Sequence, residues 1–411
     1  MVTKLLKPMV LLSIFFTACQ GNGPSDQQKK VPSTFADDLS FLQKWDDQLV
    51  VLSTSGGNAE LIVSPKYQGK VFTSTADGRN GKSFGWINYS AFDKDIDPHM
   101  NAYGGEDRLW LGPEGGAFSL FFKTGQEMIF DHWHTPAAID TESWDLVSAS
   151  DSNVRLSKDM ELKNYAGTSL KLNISRQVEI LEHKAIEDML SITLSDKVKS
   201  LGFQTINTLQ NTGDFAWDKQ TGAPCMWSLN MFTPTPETVI LIPYKEKGEG
   251  KVATTDYFGE IDADRIAMED GMLYFKADGL SRGKLGIPPQ RVKPVAGSYA
   301  SDEGVLTITL FDVDSAATYL NQEWTTEKDP FQGDAMNAYN DGPLADGSQM
   351  GPFYEIESVS PAAFIQPNAH IVHRHSVFHF IGDKEDLNII AQRVLGISLD
   401  RIASTFDKTE K

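Results

Sequence analysis

Along most of the chain, apolar and polar residues alternate with a period of two. In 169–174, Leu170, Leu172 and Ile174 face one way while Ser169, Lys171 and Asn173 face the other. Leu306, Ile308 and Leu310 repeat the pattern against Thr307, Thr309 and Phe311. Successive side chains of a strand point to opposite faces, so this alternation predicts half-buried strands. Residues 118–122, 189–194 and 239–242 are apolar runs of strand length. Asp77-Gly78, Asp270-Gly271, Asp278-Gly279 and Asn340-Asp341-Gly342 supply turn chemistry between them. Helical periodicity is confined to 35–45, behind Thr34 as a cap, and to the face Leu387, Ile390, Ala391, Val394 and Leu395. Many short strands and few helices predict a mostly β chain: one large antiparallel β-sandwich domain over 35–411, with loops at 245–251 and 324–350.

The N-terminus departs from this pattern. Lys4 and Lys7 precede an apolar run over 9–18, which is far short of the roughly 20 residues that span a bilayer. Phe16-Thr17-Ala18-Cys19 resembles a bacterial lipobox, with Phe where Leu is usual. The expectation is a lipoprotein signal over 1–19, a lipid on Cys19 and a polar tether over 20–34. Membrane contact would then run through the lipid alone. Gln20, rather than Asp, after the cysteine points to the outer membrane of the cell envelope. Cys225 is the other cysteine, so an internal disulfide is not expected.

Charge narrows the partners. The chain has 37 Lys and Arg against 56 Asp and Glu, a net charge of −19. Losing Lys4 and Lys7 with the signal leaves 35 − 56 = −21. Such a body repels phosphate backbones, which argues against nucleic acid and leaves neutral sugars, cations or basic proteins. Walker, Rossmann, Gly-x-Ser-x-Gly and metalloprotease-helix motifs are all missing, so no cofactor is expected.

Candidate chemistry gathers in four places. Within 101–116, Gly104-Gly105 permits a close backbone approach. Next to it, Glu106, Asp107 and Arg108 offer a base, an acceptor and a bidentate donor, and Trp110 a ring face for a sugar. The alternative there is a turn entering a strand, with Arg108 in a structural ion pair. Within 351–361, Glu355 and Glu357 share a strand face, an arrangement that raises one carboxyl pKa and suits general acid–base work. The bland alternative is a solvated face or a carboxylate held by an arginine. His132 and His134 form one His-x-His pair, and His373, His375 and His379 share a second face. Such pairs can chelate zinc, but the valines beside the second set suit packing, and no metal is assigned. The polar loop at 333–343 adds Asn340 and Asp341 as hydrogen-bonding groups for a sugar.

Taken in order, Gly104-Gly-x-x-Arg108-x-Trp110-x-x-Pro113-Glu114, Thr208–Gly213, Trp227, Pro243, Glu355-Ile-Glu-Ser-Val-Ser-Pro361 and Pro367–His373 resemble the galactose mutarotase-like (aldose 1-epimerase-like) superfamily, in its exported bacterial branches. The resemblance covers roughly residues 45–382. It implies a β-supersandwich with a sugar site on its concave face. It also implies that a C-terminal strand glutamate, Glu357 first and Glu355 second, takes the anomeric proton. The histidine that would protonate the ring oxygen is absent from the matching stretch 211–217, and His99, His132 or His134 are the substitutes on offer. Two functions follow as expectations. One is an enzyme acting on a carbohydrate, epimerase-like or else a lyase or hydrolase on the same sandwich; the other is a non-catalytic glycan-binding surface lipoprotein of an uptake system.

Overall fold

A computed structural model describes residues 34–248 and 250–406. Cys19, the signal and nearly all of the tether lie outside the described residues. The strands form three sheets, and every pairing within them is antiparallel. One has ten strands, with Val305–Phe311, His370–Ile381, Lys199–Asn211 and Ser169–Ile180 side by side at its centre. The second has five, in the order Gly283–Ile287, Met336–Asn340, Tyr354–Val359, Cys225–Phe232 and Arg108–Gly112. The third is a three-stranded sheet of Val50–Ser53, Glu60–Ser64 and Lys70–Thr75. This is the mostly antiparallel β-sandwich that the alternation predicts.

The ten- and five-stranded sheets face each other across the main core. Leu170, Leu172 and Ile174 from one, and Leu285, Ala338 and Ile356 from the other, belong to a single buried cluster. A polar layer crosses it. Ser358 Oγ hydrogen-bonds His373 Nε2 and His375 Nδ1, both at 2.8 Å. His379 contacts Glu106 Oε1 at 3.0 Å and Thr307 Oγ1 at 2.9 Å. The shared face of His373, His375 and His379 is thus the inter-sheet face. Among the described residues, no group of three or more His, Cys, Asp or Glu is placed to hold a metal ion.

Helices cover the other face of the large sheet. Leu306, Ile308, Phe378 and Phe380 pack there with Ile186, Leu387, Ile390 and Leu399. Val305–Phe311 is therefore buried on both faces, and Thr307 and Thr309 point into the sandwich rather than to water. The first helix, Phe35–Leu42, has Thr34 as its N-cap in a capping box with Asp37. The helix Lys384–Val394 buries Leu387, Ile390 and Ala391, the face its period predicts. Among the described residues, no helix is long and apolar enough to cross a membrane.

Three local expectations fail. Residues 189–194 are not a strand: the helix His183–Leu190 ends there, with Ser191 as a left-handed cap. The helix turns Ile186 and Leu190 inward by period 3.6, and 191–194 follow it as cap and loop, with Leu194 packed in the same cluster. Residues 118–122 form a buried loop rather than a strand, with Leu120, Phe121 and Phe122 packed inward. The stretch 324–350 is not loop throughout, because Met336–Asn340 is an interior strand of the five-stranded sheet. Its two asparagines are buried, and their amides find hydrogen-bond partners, so their polarity does not exclude them from the sheet.

Candidate functional site

The five-stranded sheet turns one face to the large sheet and the other to a cleft roofed by loops. Pairing sets which residues share the cleft face. Glu357 lies opposite Asn337 on one side and Leu229 on the other, and Leu229 lies opposite Arg108. Tyr339 lies between Glu355 and Lys284. Trp227 lies opposite Trp110. Directly opposed residues point the same way, so Lys284, Asn337, Tyr339, Glu355, Glu357, Trp227, Arg108 and Trp110 all belong to this face. The expectation that Glu355 and Glu357 share a face holds.

Two ion pairs form the floor. Arg108 Nη2 donates to Glu355 Oε1 at 2.6 Å, and its guanidinium sits 5.1 Å from the Trp110 ring centroid. Lys284 Nζ donates to Glu357 Oε2 at 3.1 Å, and Trp227 Nε1 donates to the same oxygen at 2.8 Å. The Lys284 ammonium also lies 4.7 Å from the Trp227 ring centroid. Glu357 Oε1 is buried with no hydrogen-bond partner among the described residues. Arg108 thus answers to Glu355 and not to Glu357, the glutamate that the resemblance puts first.

Above this floor opens a cleft of about 690 Å³. Lys284, Glu114, Tyr257, Trp324, Phe258 and Tyr339 are among its walls. Tyr257 Oη donates to Asp334 Oδ2 at 2.6 Å, and Tyr339 Oη donates to Asp341 Oδ1 at 3.0 Å. Arg282 lies 3.9 Å from the Phe258 ring centroid and donates from Nε to Tyr339 Oη at 3.3 Å. Trp324 stacks on Trp133 at 5.9 Å.

Charge and burial tune these groups. Desolvation alone would lower the Lys284 pKa, but Glu357, Glu114 and Glu355 together raise it, so the ammonium stays charged. Burial pushes the Glu355 carboxyl up to about 7, against the pull of Arg108 and with the help of Glu357. Burial likewise raises the Glu114 carboxyl, opposed by the Lys284 charge. Asp334 is also raised by burial.

The structure separates the remaining candidates. Asp341 lines the cleft, where it accepts from Tyr339 and from the Gly351 N–H at 2.8 Å. Asn340 does not: its parity is that of Met336 and Ala338, and it braces a turn through the Gly279 N–H and Ser281 O, both at 2.9 Å. Asp107 also faces away. One residue before Arg108, it points between the sheets, where it pairs with fully buried Arg176 and accepts from Asn230. Trp110 is buried among Phe121, Trp133 and Trp227, so it supports the floor and offers no open ring face. His132 and His134 are outside the cleft, with Nδ1 against the Glu127 and Pro98 carbonyls at 2.9 and 2.7 Å. Gly104, with φ +89, approaches so closely that a Cβ would strike the Trp86 carbonyl.

Sequence reasoning missed Lys284, Tyr257 and Trp324, and it left Glu114 without a role. One signal for Lys284 was present: Leu285 and Ile287 alternate with it, marking a strand whose other face carries a lysine. Lys284 and Glu357 stand 73 positions apart, so their pairing leaves no local trace.

Residues 33–406 match the model of a family of unknown function, DUF6786. The chain belongs to this family. No curated protein matches it. Among solved structures, this DUF6786 protein is similar to a candidate aldose 1-epimerase from Escherichia coli, at 14% identity and a TM-score of 0.45, over 81% of this chain and 98% of that one. A galactose mutarotase-like protein from Lactobacillus casei gives 12% identity and 0.46, over 80% and 99%. A galactose mutarotase related enzyme from Lactobacillus acidophilus gives 8% and 0.44, over 81% and 97%. At such identities and scores, the chemistry of the DUF6786 site rests on its own residues.

Proposed function

We propose that the cleft takes a carbohydrate and acts on its anomeric centre by general acid–base chemistry. One observation carries the proposal: aromatic rings, Trp324, Tyr257 and Phe258, line the same cleft as Glu114 and Lys284, and Lys284 pairs with Glu357 beneath it. A sugar offers C–H faces to rings and hydroxyl edges to charged groups, and a cleft of this size holds a small saccharide. The motif order from Gly104 to His373 supports the same reading by resemblance. In this reading Glu357 is the base, with Oε1 as the acceptor for the anomeric proton, while Trp227 and Lys284 fix Oε2. Export and a lipid on Cys19 belong to the proposal and place the site in the cell envelope.

A second reading has its own observation. Glu357 is fully buried under Lys284, and both floor carboxylates are already ion-paired. That favours a glycan-binding cleft without turnover, serving an uptake system. NMR exchange spectroscopy on a panel of aldoses, run beside calorimetric binding, separates the two. Accelerated exchange between anomers supports the enzyme. Saturable binding without acceleration supports the binding protein, and neither result for any saccharide sinks both.

A further inference from the structure

We infer that Glu114 is the proton donor of this site, delivering a proton to the ring oxygen of the bound sugar. The inference rests on the enzymatic reading above. The histidine that the resemblance calls for has no counterpart here, and the stretch 211–217 is committed elsewhere. Asn211 Nδ2 donates to Phe215 O at 2.9 Å, and Trp217 is buried. None of the eight histidines lines the cleft. His373, His375 and His379 lie between the sheets, and His132 and His134 are held by backbone carbonyls.

The cleft's other polar walls are unsuited to donation. Arg282 does not deprotonate. Lys284 is held as an ammonium, chiefly by the Glu357 carboxylate it pairs with. The Tyr257 and Tyr339 hydroxyls already donate to Asp334 and Asp341. Glu323 pairs with Lys328 at 2.5 Å. Glu114 is different. Its backbone N–H is anchored to Gln322 Oε1 at 3.1 Å, its side chain borders the cleft, and no Lys or Arg nitrogen lies within 4.0 Å of its carboxyl among the described residues. Burial raises its pKa, against the Lys284 charge and hydrogen bonds from Trp324 and Trp133. Two carboxyls around one lysine are thereby given unequal surroundings: Glu357 is ion-paired and Glu114 is not, the division of labour an acid and a base require.

The step balances. The anomeric O1–H proton passes to Glu357 Oε1 as Glu114 protonates the ring oxygen. The C1–O5 bond breaks and C1=O forms. Rotation about C1–C2 presents the other carbonyl face, and the reverse transfers close the ring and restore both carboxyls. No oxidant or further reactant is consumed.

The test is anomeric exchange by NMR on the full chain, with an aldose that the wild type binds, comparing wild type with Glu114→Gln. Exchange should slow on the order of 100-fold with binding changed less than about threefold, and the fall in rate at high pH should disappear. A wild type that exchanges, with Glu114→Gln at full rate, overturns the assignment and leaves the enzymatic reading standing. A wild type that binds sugar without exchange overturns both. If the Gln variant does not fold, Glu114→Asp retains the acid but withdraws it by one methylene. A rate lowered tenfold or more then supports the assignment, and an unchanged rate overturns it.

Discussion

Removing Lys284 tests the floor of the cleft most directly. Its ammonium is the cation on Glu357 Oε2, and Glu357 is fully buried. Lys284→Met leaves that carboxylate with the Trp227 N–H alone and Oε1 still unpartnered. Breaking a buried pair by removing one member costs on the order of 3–5 kcal/mol, because the survivor remains charged and desolvated. Glu357→Gln is milder. The amide oxygen can still accept from Trp227, and Glu114 and Glu355 still face the ammonium, so the loss should be about 1–3 kcal/mol. Together the two substitutions remove both charges, and the double variant should be less destabilised than the sum by about 1–3 kcal/mol. Urea unfolding of the four proteins measures this, with the m-value checked for constancy. Additivity to within about 0.5 kcal/mol would refute the reasoning, since it would mean the pair is not coupled.

Cys19→Ser should move the protein from the membrane to the soluble fraction of the envelope; unchanged fractionation defeats the lipid anchor. Arg176→Met should cost about 3–5 kcal/mol in urea unfolding, because it strands Asp107 between the sheets, and Asp107→Asn on top should recover part of it. A loss below about 1 kcal/mol would count against that pair. Burial lowers the His375 pKa from 6.5 to about 3, so the unfolded chain takes up a proton there that the folded chain refuses. The resulting stability is complete above about pH 6.5 and is lost as pH falls towards 3, by up to about 1.4 kcal/mol per pH unit. Glu355, raised to about 7, works oppositely between its unfolded and folded values, so the informative quantity is wild type minus His375→Asn. A difference that stays flat from pH 6.5 to 4 sinks the claim.

Period-two logic carried the sequence reading furthest where one face of a strand meets water. Ser169–Ile180 alternates exposed or half-buried with buried residues along its length, as its sequence does. The logic faltered at Val305–Phe311: the helices cover its apolar face, Leu306 and Ile308, so the polar face that alternation assigns to solvent, Thr307 and Thr309, turns into the sandwich. It was under-used at 107–108. Once Arg108 faces the cleft, the residue before it must face the other sheet, so Asp107 and Arg108 never belonged to one site. Asn340 and Trp110 failed for a different reason. Their types suit sugars, but type does not report whether a neighbour already claims the group: Gly279 and Ser281 claim Asn340, and the rings of Trp133 and Trp227 pack on Trp110.

The charges divide between the two layers in a way that bears on function. Between the sheets, Asp107 faces Arg176, and Glu106 accepts from Ser74 at 2.6 Å while contacting His379. Each of these charged side chains has a partner within the core, although Glu106 Oε2 has none. On the far face of the five-stranded sheet, Lys284 serves three carboxylates and directly pairs with one. Glu357 Oε1 lacks a partner there, and Glu114 is one of the residues lining the cleft. A buried unpaired carboxylate oxygen costs about 1–3 kcal/mol or more. Such oxygens occur in both layers, Glu106 Oε2 between the sheets and Glu357 Oε1 on the far face, and Glu357 is the one whose ion-pair partner, Lys284, lines the aromatic cleft. A ligand's hydroxyl placed over Glu357 would supply the missing hydrogen bond, which is why the site is assigned to this face.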